Sequence, residues 1–241
     1  MQWIKLNGNL ERFAKYVDKF KVRRYVSKRI GESYLVPIIG IYKKVSQIPI
    51  ESLPQSFVMK ATHGSGWNIN VKDKTKVDWE KTSAKLKEWL RSNYYDLYRE
   101  PNYKPLKGRI LIEHRLEDPS GDLKDYKFFC FHGKPVYVQV DGDRYKNHKR
   151  DIYDLNWNRL PFKAAYPNFP QLVHRPDALD QMTALAARLA KGFAMVRVDL
   201  YYTNNRIYFG ELTFTPESGF KHYPMEYEML LSGLLDLSKY N

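Results

Sequence analysis

Two acids near the C-terminal end are spaced to hold a cation. In Val196-Arg197-Val198-Asp199-Leu200 apolar residues alternate with charged ones, which puts Arg197 and Asp199 on one face of a strand. On the next run, Ile207, Phe209 and Glu211 read as one face, with Thr213 two residues further on. A three-residue loop, Asn204-Asn205-Arg206, sets Asp199 directly opposite Glu211, whereas a two-residue loop sends the carboxylates to opposite faces. Facing carboxylates repel unless a cation lies between them. Oxygen ligands alone select a hard ion such as Mg²⁺, completed by phosphates and water. Surface acids neutralised by lysines fit the same residues.

Lys60 ends an apolar run, Phe57 to Ala61, just before His63-Gly64-Ser65-Gly66. Such a loop can turn backbone amides toward an anion while the lysine supplies a point charge. A plain glycine turn explains it equally. Ile110 to Leu116 is an apolar strand ending in Glu113, His114 and Arg115. Free backbone groups beside a carboxylate suit a purine edge, and an ordinary edge strand has the same features. Asp125 and Lys127 alternate onto one side of a further strand.

The elements that must carry these residues are legible from period and punctuation. Asp18 is expected to cap a helix bearing Val22, Tyr25, Val26 and Ile30, stopped at Gly31. Phe57–Ala61 and Trp67–Val71 read as a hairpin. Asp78 opens a helix with Trp79, Leu86, Trp89, Leu90 and Leu97 in one stripe. Strands are expected at 109–114, 126–131, 136–140, 195–202 and 207–212, mostly as hairpins. Residues 141–170 read as a long functional loop, and Asp177 as the cap of a helix ending at Gly192. This mixture is an α+β architecture with antiparallel sheets.

Composition narrows the class. The chain has 241 residues, 43% of them hydrophobic and 28% charged, enough for one large domain or two packed subdomains. No apolar run approaches the ~20 residues that span a bilayer, and Met1 to Lys5 lacks a secretory core, so a cytoplasmic protein is expected. The single cysteine, Cys130, excludes an internal disulfide or a Cys-based zinc site and sits in an apolar strand. The net charge of +13 suits polyanions, but the basic residues are dispersed and no nucleic-acid-binding signature accompanies them. No nucleic acid is expected as a partner.

In order along the chain, these pieces closely resemble the ATP-grasp superfamily and its TupA-like branch, associated with bacterial surface-polysaccharide and teichuronopeptide synthesis. The resemblance runs from Asp18-Lys19-Phe20-Lys21-Val22-Arg23 through Phe57 to Gly66 and Asp125 to Phe131. It ends with Arg197-Val198-Asp199-Leu200 and Phe209-Gly210-Glu211-Leu212-Thr213-Phe214-Thr215-Pro216, continuing to Gly219. It implies an α+β ATP-grasp fold in which two subdomains with antiparallel sheets grip the nucleotide. Residues 1–50 would be a short N-terminal helical segment, 51–115 the small subdomain with the glycine flap, and 116–241 the large subdomain with the metal site.

The resemblance further implies ATP and Mg²⁺, as two ions. Lys19 and Lys60 would contact the nucleotide, and His63, Gly64, Ser65 and Gly66 would cover its phosphates. Glu113, His114 and Leu116 would form the adenine hinge and Asp125 would face the ribose. Lys127 would contact phosphate and Arg197 would steady the transferring phosphoryl group. Asp199 and Glu211 would bind metal, with Thr213 where the family carries asparagine. The implied reaction joins an amino acid to a uronic-acid-containing polysaccharide or its precursor through an acylphosphate.

Only 17 residues precede Asp18, so the usual N-terminal domain reads as truncated, and the acceptor site is expected to be improvised or supplied by a partner protein. Peripheral contact with the inner membrane face fits such a role. The segment Arg144-Tyr145-Lys146-Asn147-His148-Lys149-Arg150 reads as an acceptor or phosphate clamp, or as a solvated basic loop. A sugar kinase on the same fold, an ATP-grasp protein that binds nucleotide but needs a partner for chemistry, and a non-catalytic polyanion-binding protein are the alternatives.

Overall fold

The structure, a computed structural model, describes residues 1–144, 146–161, 163–220 and 224–240. Tyr145, in the expected basic clamp, lies outside the described residues. The helices are α1 (Gln2–Asn7), α2 (Ala14–Val17), α3 (Val22–Ile30), α4 (Trp79–Arg91), α5 (Tyr94–Tyr98), α6 (Leu179–Ala190) and α7 (Met225–Gly233). The strands are β1 (Ile38–Tyr42), β2 (Phe57–Ala61), β3 (Asn68–Val71), β4 (Ile110–His114), β5 (Asp125–Phe131), β6 (Lys134–Gly142), β7 (Lys149–Asp154), β8 (Met195–Thr203) and β9 (Arg206–Thr213). The chain divides into two compact units, one of residues 9–25 and 35–116, the other of residues 1–8, 26–34 and 117–241. Among the described residues no helix is long and apolar enough to cross a membrane.

The unit of residues 9–25 and 35–116 is built on a four-stranded antiparallel sheet, ordered β1-β4-β2-β3. Alternation along β2 buries Phe57, Met59 and Ala61 completely against Ile110, Ile112, Leu86 and Trp89. Burying side chains of this size contributes about 1.5–3 kcal/mol each. Val58 and Lys60 are thereby turned to the other face. Asp78 caps α4 as expected, its Oδ1 accepting from Lys81 N at 3.0 Å. Leu97 departs from the expected stripe. The α4 helix ends at Arg91, and Leu97 lies in the separate helix α5, largely exposed.

In the other unit the sheet is five-stranded and antiparallel, ordered β7-β6-β5-β8-β9. Leu179, Met182, Leu185, Ala186 and Leu189 of α6 are buried, and the helix packs on β5, β6 and β8. Phe128, Cys130, Val196, Val198 and Leu200 form one buried apolar face of the sheet, and burial raises the Cys130 thiol far above its ordinary value. Two expectations fail here. Asp177 does not cap α6, which starts after Ala178 without a side-chain cap. Residues 141–170 are not one loop, because β7 extends the sheet by pairing with β6.

Candidate functional site

The first charged group belongs to residues 9–25 and 35–116. Val58 pairs with Glu113 and Lys60 with Leu111, so the Lys60 and Glu113 side chains lie diagonally on one face of the sheet and form an ion pair. Asp18 is fully buried. Its Oδ1 accepts from the Phe20 and Lys21 amides at 2.9 and 2.8 Å and so aims the turn that presents Lys19. Lys19 then bonds Thr62 through its amide, at 3.0 Å, and the Gly64 carbonyl through Nζ. Two lysines thus stand beside the Thr62–Gly66 turn. His114 is exposed and Leu116 half-buried at the end of β4.

The glycines of this turn have separate reasons. Gly66 takes φ +71 with open space around it, a conformation that favours glycine. A Cβ on Gly64 would stand 2.5 Å from the Trp67 ring. His63 points the other way. Its ring is 2% exposed, edge-on to Trp67, and its Nε2 pairs with the Trp89 carbonyl at 2.8 Å. The structure therefore places this side chain in the core, while its backbone remains in the turn.

Burial lowers the His63 pKa below 6.5, against the backbone bonds to Trp89 and Ser92; nearby Lys19 lowers it further and Asp18 opposes. Below pH 6.5 the unfolded chain takes up a proton that the native ring resists. Its stabilising contribution is therefore complete above that value and declines as pH falls toward the folded pKa. His63→Gln should flatten this part of the stability–pH curve in urea titrations between pH 5 and 8. An unchanged slope would refute the assignment.

The second charged group lies on the sheet face opposite Phe128, Cys130, Val196 and Val198. Strand register sets Lys127 beside both Gln139 and Asp199, Asp125 beside Asp141, and Asp199 beside Glu211. Lys127 Nζ pairs with Asp125, donates to Asp199 at 3.0 Å and stands 3.8 Å from Asp141. Arg197 grips Asp199 through two bonds of 2.7 Å, and its Nη2 also reaches Glu211 Oε1 and Thr213 Oγ1 at 3.1 Å each. Burial opposes ionisation of Asp199, but Arg197 and Lys127 outweigh it and hold the carboxyl below its usual range. For Asp125 burial prevails over Lys127, and its pKa is raised.

The register comes about differently from the three-residue loop expected. The hairpin turn is only Asn204-Asn205, with φ +49 and +56, and Thr203 pairs with Arg206. Both central residues left-handed is the type I′ arrangement that suits hairpin twist. On that register Phe209 pairs with Leu200, on the apolar face. A bulge then inserts Gly210, and Glu211 arrives opposite Asp199. Ile207 and Phe209 therefore do not share a face with Glu211. A Cβ on Gly210 would approach the Asp199 carbonyl oxygen to 3.0 Å.

Asp141, Gln139 and Glu217 join this network without having been assigned a role from sequence, and Arg150, from the expected basic clamp, joins it through Asp141. Arg150 Nε and Nη2 bond Asp141 at 2.6 and 3.1 Å, Gln139 donates to Asp141 at 3.1 Å, and Arg150 Nη1 stands 3.4 Å from Glu217. Asp141 is 1% exposed, and despite burial Arg150 and Lys127 hold its pKa far below the usual value. The signal available was the alternation Tyr137-Val138-Gln139-Val140-Asp141. Its polar members share the face of Lys127.

Among the described residues, no group of three or more His, Cys, Asp or Glu is arranged to hold a metal. What the face does offer is convergence. Oxygens of Asp199, Glu211 and Thr213 surround one positive nitrogen, Arg197 Nη2. Two carboxylates and a hydroxyl are a hard donor set of the kind that holds Mg²⁺ jointly with phosphate and water.

A family model described as TupA-like ATPgrasp matches residues 1–235. Among solved structures, the D-alanine–D-alanine ligase from Bacillus anthracis complexed with ATP is similar at TM-score 0.50 and 13% identity, over 94% of this chain and 65% of that one. The Helicobacter pylori D-alanine–D-alanine ligase is similar at TM-score 0.50 and 13% identity, over 91% and 57%. At such identities the likeness is one of fold, and the chain spans less than two thirds of either ligase. Among curated proteins, none matches the chain.

Proposed function

Because the chain belongs to the TupA-like ATP-grasp family, we propose that it is an ATP-dependent ligase joining a carboxylate to an amine through an acylphosphate. The observation that carries this reading is the convergence of Asp199, Glu211 and Thr213 oxygens on one cationic position. Asp199 and Glu211 would hold Mg²⁺, with Thr213 as a neutral third oxygen. The metal, as two ions, would neutralise phosphate charge. Lys60 and Lys19 would bind phosphate beside the Gly64–Gly66 turn, with Glu113 orienting Lys60 until nucleotide arrives. Glu113 and the backbone at His114–Leu116 would meet the adenine, and Asp125 the ribose.

Lys127 and Arg197 would then stabilise the charge that builds on the transferring phosphoryl group, a task of positioning rather than covalent chemistry. Closure of the glycine turn would exclude water from the acylphosphate. For the carboxylate partner we propose a uronic-acid-containing surface saccharide or its precursor, which a net charge of +13 would attract, and for the amine an amino acid. A second protein would complete the acceptor site, at or near the inner membrane face.

The decisive measurement is ADP release from Mg-ATP in the presence of uronic acids and amino acids, singly and together. Release that needs both identifies a ligase, whereas release with sugar alone identifies a kinase. Glu211→Gln should lower turnover on the order of a hundredfold. Its side chain is 34% exposed, so the melting temperature should barely move. Wild-type turnover by this variant would defeat the metal assignment.

A further inference from the structure

Four exposed cations stand over aromatic rings where the turns Leu10–Phe13 and Pro101–Tyr103 meet α2 and α5. Arg12 lies 4.9 Å over the Phe13 ring, and Lys15 lies 5.0 Å over Tyr16. Arg99 and Lys104 share the Tyr95 ring, at 5.3 and 5.6 Å. A Glu11–Lys104 pair of 3.4 Å joins the two sets across the turns. All of these residues belong to the unit of residues 9–25 and 35–116.

A cation held over a ring keeps its water but loses much of its freedom, so the rings set where each charge stands. Scattered surface lysines have no such guide. Two acids take part, Glu11 with Lys104 and Asp96 with Arg99 at 4.0 Å. Both pairs are exposed, and pairs of this kind are weak enough to exchange for another carboxylate. The rings beneath are tied to the core. Tyr94 is buried, stacks on Tyr98 at 4.7 Å and stands edge-on to Trp67 at 5.4 Å. Trp67 is also the ring that crowds Gly64, so the surface is anchored to the hairpin that carries the Gly64–Gly66 turn.

This chemistry selects a sugar chain that bears carboxylates. Single-stranded nucleic acid needs open aromatic faces on which bases stack, whereas Phe13, Tyr16 and Tyr95 already carry cations on theirs. The two guanidinium groups match carboxylates bidentately. Tyr98, exposed beside Arg99, presents a ring to the apolar C–H side of a sugar.

We propose that this surface is a second, non-catalytic binding site, which holds a run of uronic acid residues of a polysaccharide apart from the residue that reacts. The choice of polymer rests on the ligase reading, and the test separates the two. Binding of polygalacturonate is measured by calorimetry at low and at physiological salt, beside dextran, polyglutamate and single-stranded DNA. Two double variants are compared, Arg12→Gln with Lys15→Gln and Arg99→Gln with Lys104→Gln. A control of matched charge, Lys43→Gln with Lys44→Gln, removes exposed lysines elsewhere on the same unit.

Each of the first two variants should weaken polygalacturonate at least about fivefold, and the control less than about twofold. Dextran should not bind, and the KM for ATP should stay within about twofold throughout, since none of these residues is assigned to the nucleotide. Equal weakening by the control would mean attraction by net charge alone and overturns the site. So does a wild-type protein that binds no polygalacturonate, or one that binds polyglutamate or DNA as tightly through the same residues. The two pairs sit on different elements, so if one variant misfolds the other still decides. Polymer binding that the variants weaken, with no ADP released on any uronic acid, would keep this surface and remove the ligase reading. ADP release without polymer binding would do the reverse.

Discussion

Asp199→Asn should abolish Mg-ATP turnover and also destabilise the protein by about 3–5 kcal/mol, the usual cost of removing one partner from a buried ion pair. Asp199 is 2% exposed and accepts two bonds from Arg197 and one from Lys127. Asparagine keeps the volume but offers one acceptor oxygen, and it turns an NH₂ group toward two cations whose side chains are 9% and 6% exposed. Charge-assisted bonds of this kind are roughly twice as strong as neutral ones. Guanidinium or urea unfolding would show the loss directly, and the contrast with the mild Glu211→Gln variant is part of the expectation. An Asp199→Asn protein as stable as wild type would mean that the charge lattice does not bear on folding.

Deleting Gly210 should spare the register that Gly210→Val disturbs, for a geometric reason. Phe209 already pairs with Leu200, so without the bulged residue Glu211 follows directly and pairs with Asp199 in a regular ladder. Glu211 and Thr213 would keep the charged face and Leu212 the apolar one. Turnover should stay within about tenfold of wild type, far above that of a variant lacking Glu211. Gly210→Val is the costlier companion. Its side chain would press on the Asp199 carbonyl and the Tyr201 ring, costing about 1–3 kcal/mol as overpacking does. Thermal melts and ADP release on both variants separate a spared register from lost space. A deletion that lost turnover as fully as a variant lacking Glu211 would contradict the bulge.

These two residues also mark how far the sequence could be read. The opposition of Asp199 and Glu211 was legible because a metal-type pair makes sense only on one face. The device that achieves it was not, since a three-residue loop and a two-residue loop with a bulge give the same outcome. The lone Gly210 inside a strand pattern was the available hint. The Lys60 strand, the Asp78 cap and the Phe128–Cys130 core followed from period and capping alone. Strand β7 was missed because Arg150 and Asp151 are buried at 4% and 0% exposure. A strand whose second and third positions are charged carries a weak apolar signature, and partners such as Asp141 for Arg150 and Tyr153 and Asn168 for Asp151 make those positions tolerable. His63 looked like a loop residue by its neighbours, and its bond to the Trp89 carbonyl depends on a residue distant in sequence.

The lattice around Lys127 and Arg197 also bears on how work is divided between folding and binding. Side chains that already face opposite charge at bonding distance have surrendered their freedom when the chain folds, not when a ligand arrives. Under the ligase reading, an incoming phosphate would find Lys127 and Arg197 already held in place and largely dehydrated, with their pairs to Asp125 and Asp199 left to exchange. The counterpart is a core less stable than a well-packed apolar one of similar volume would be. In this sheet, readiness is stored as forgone stability.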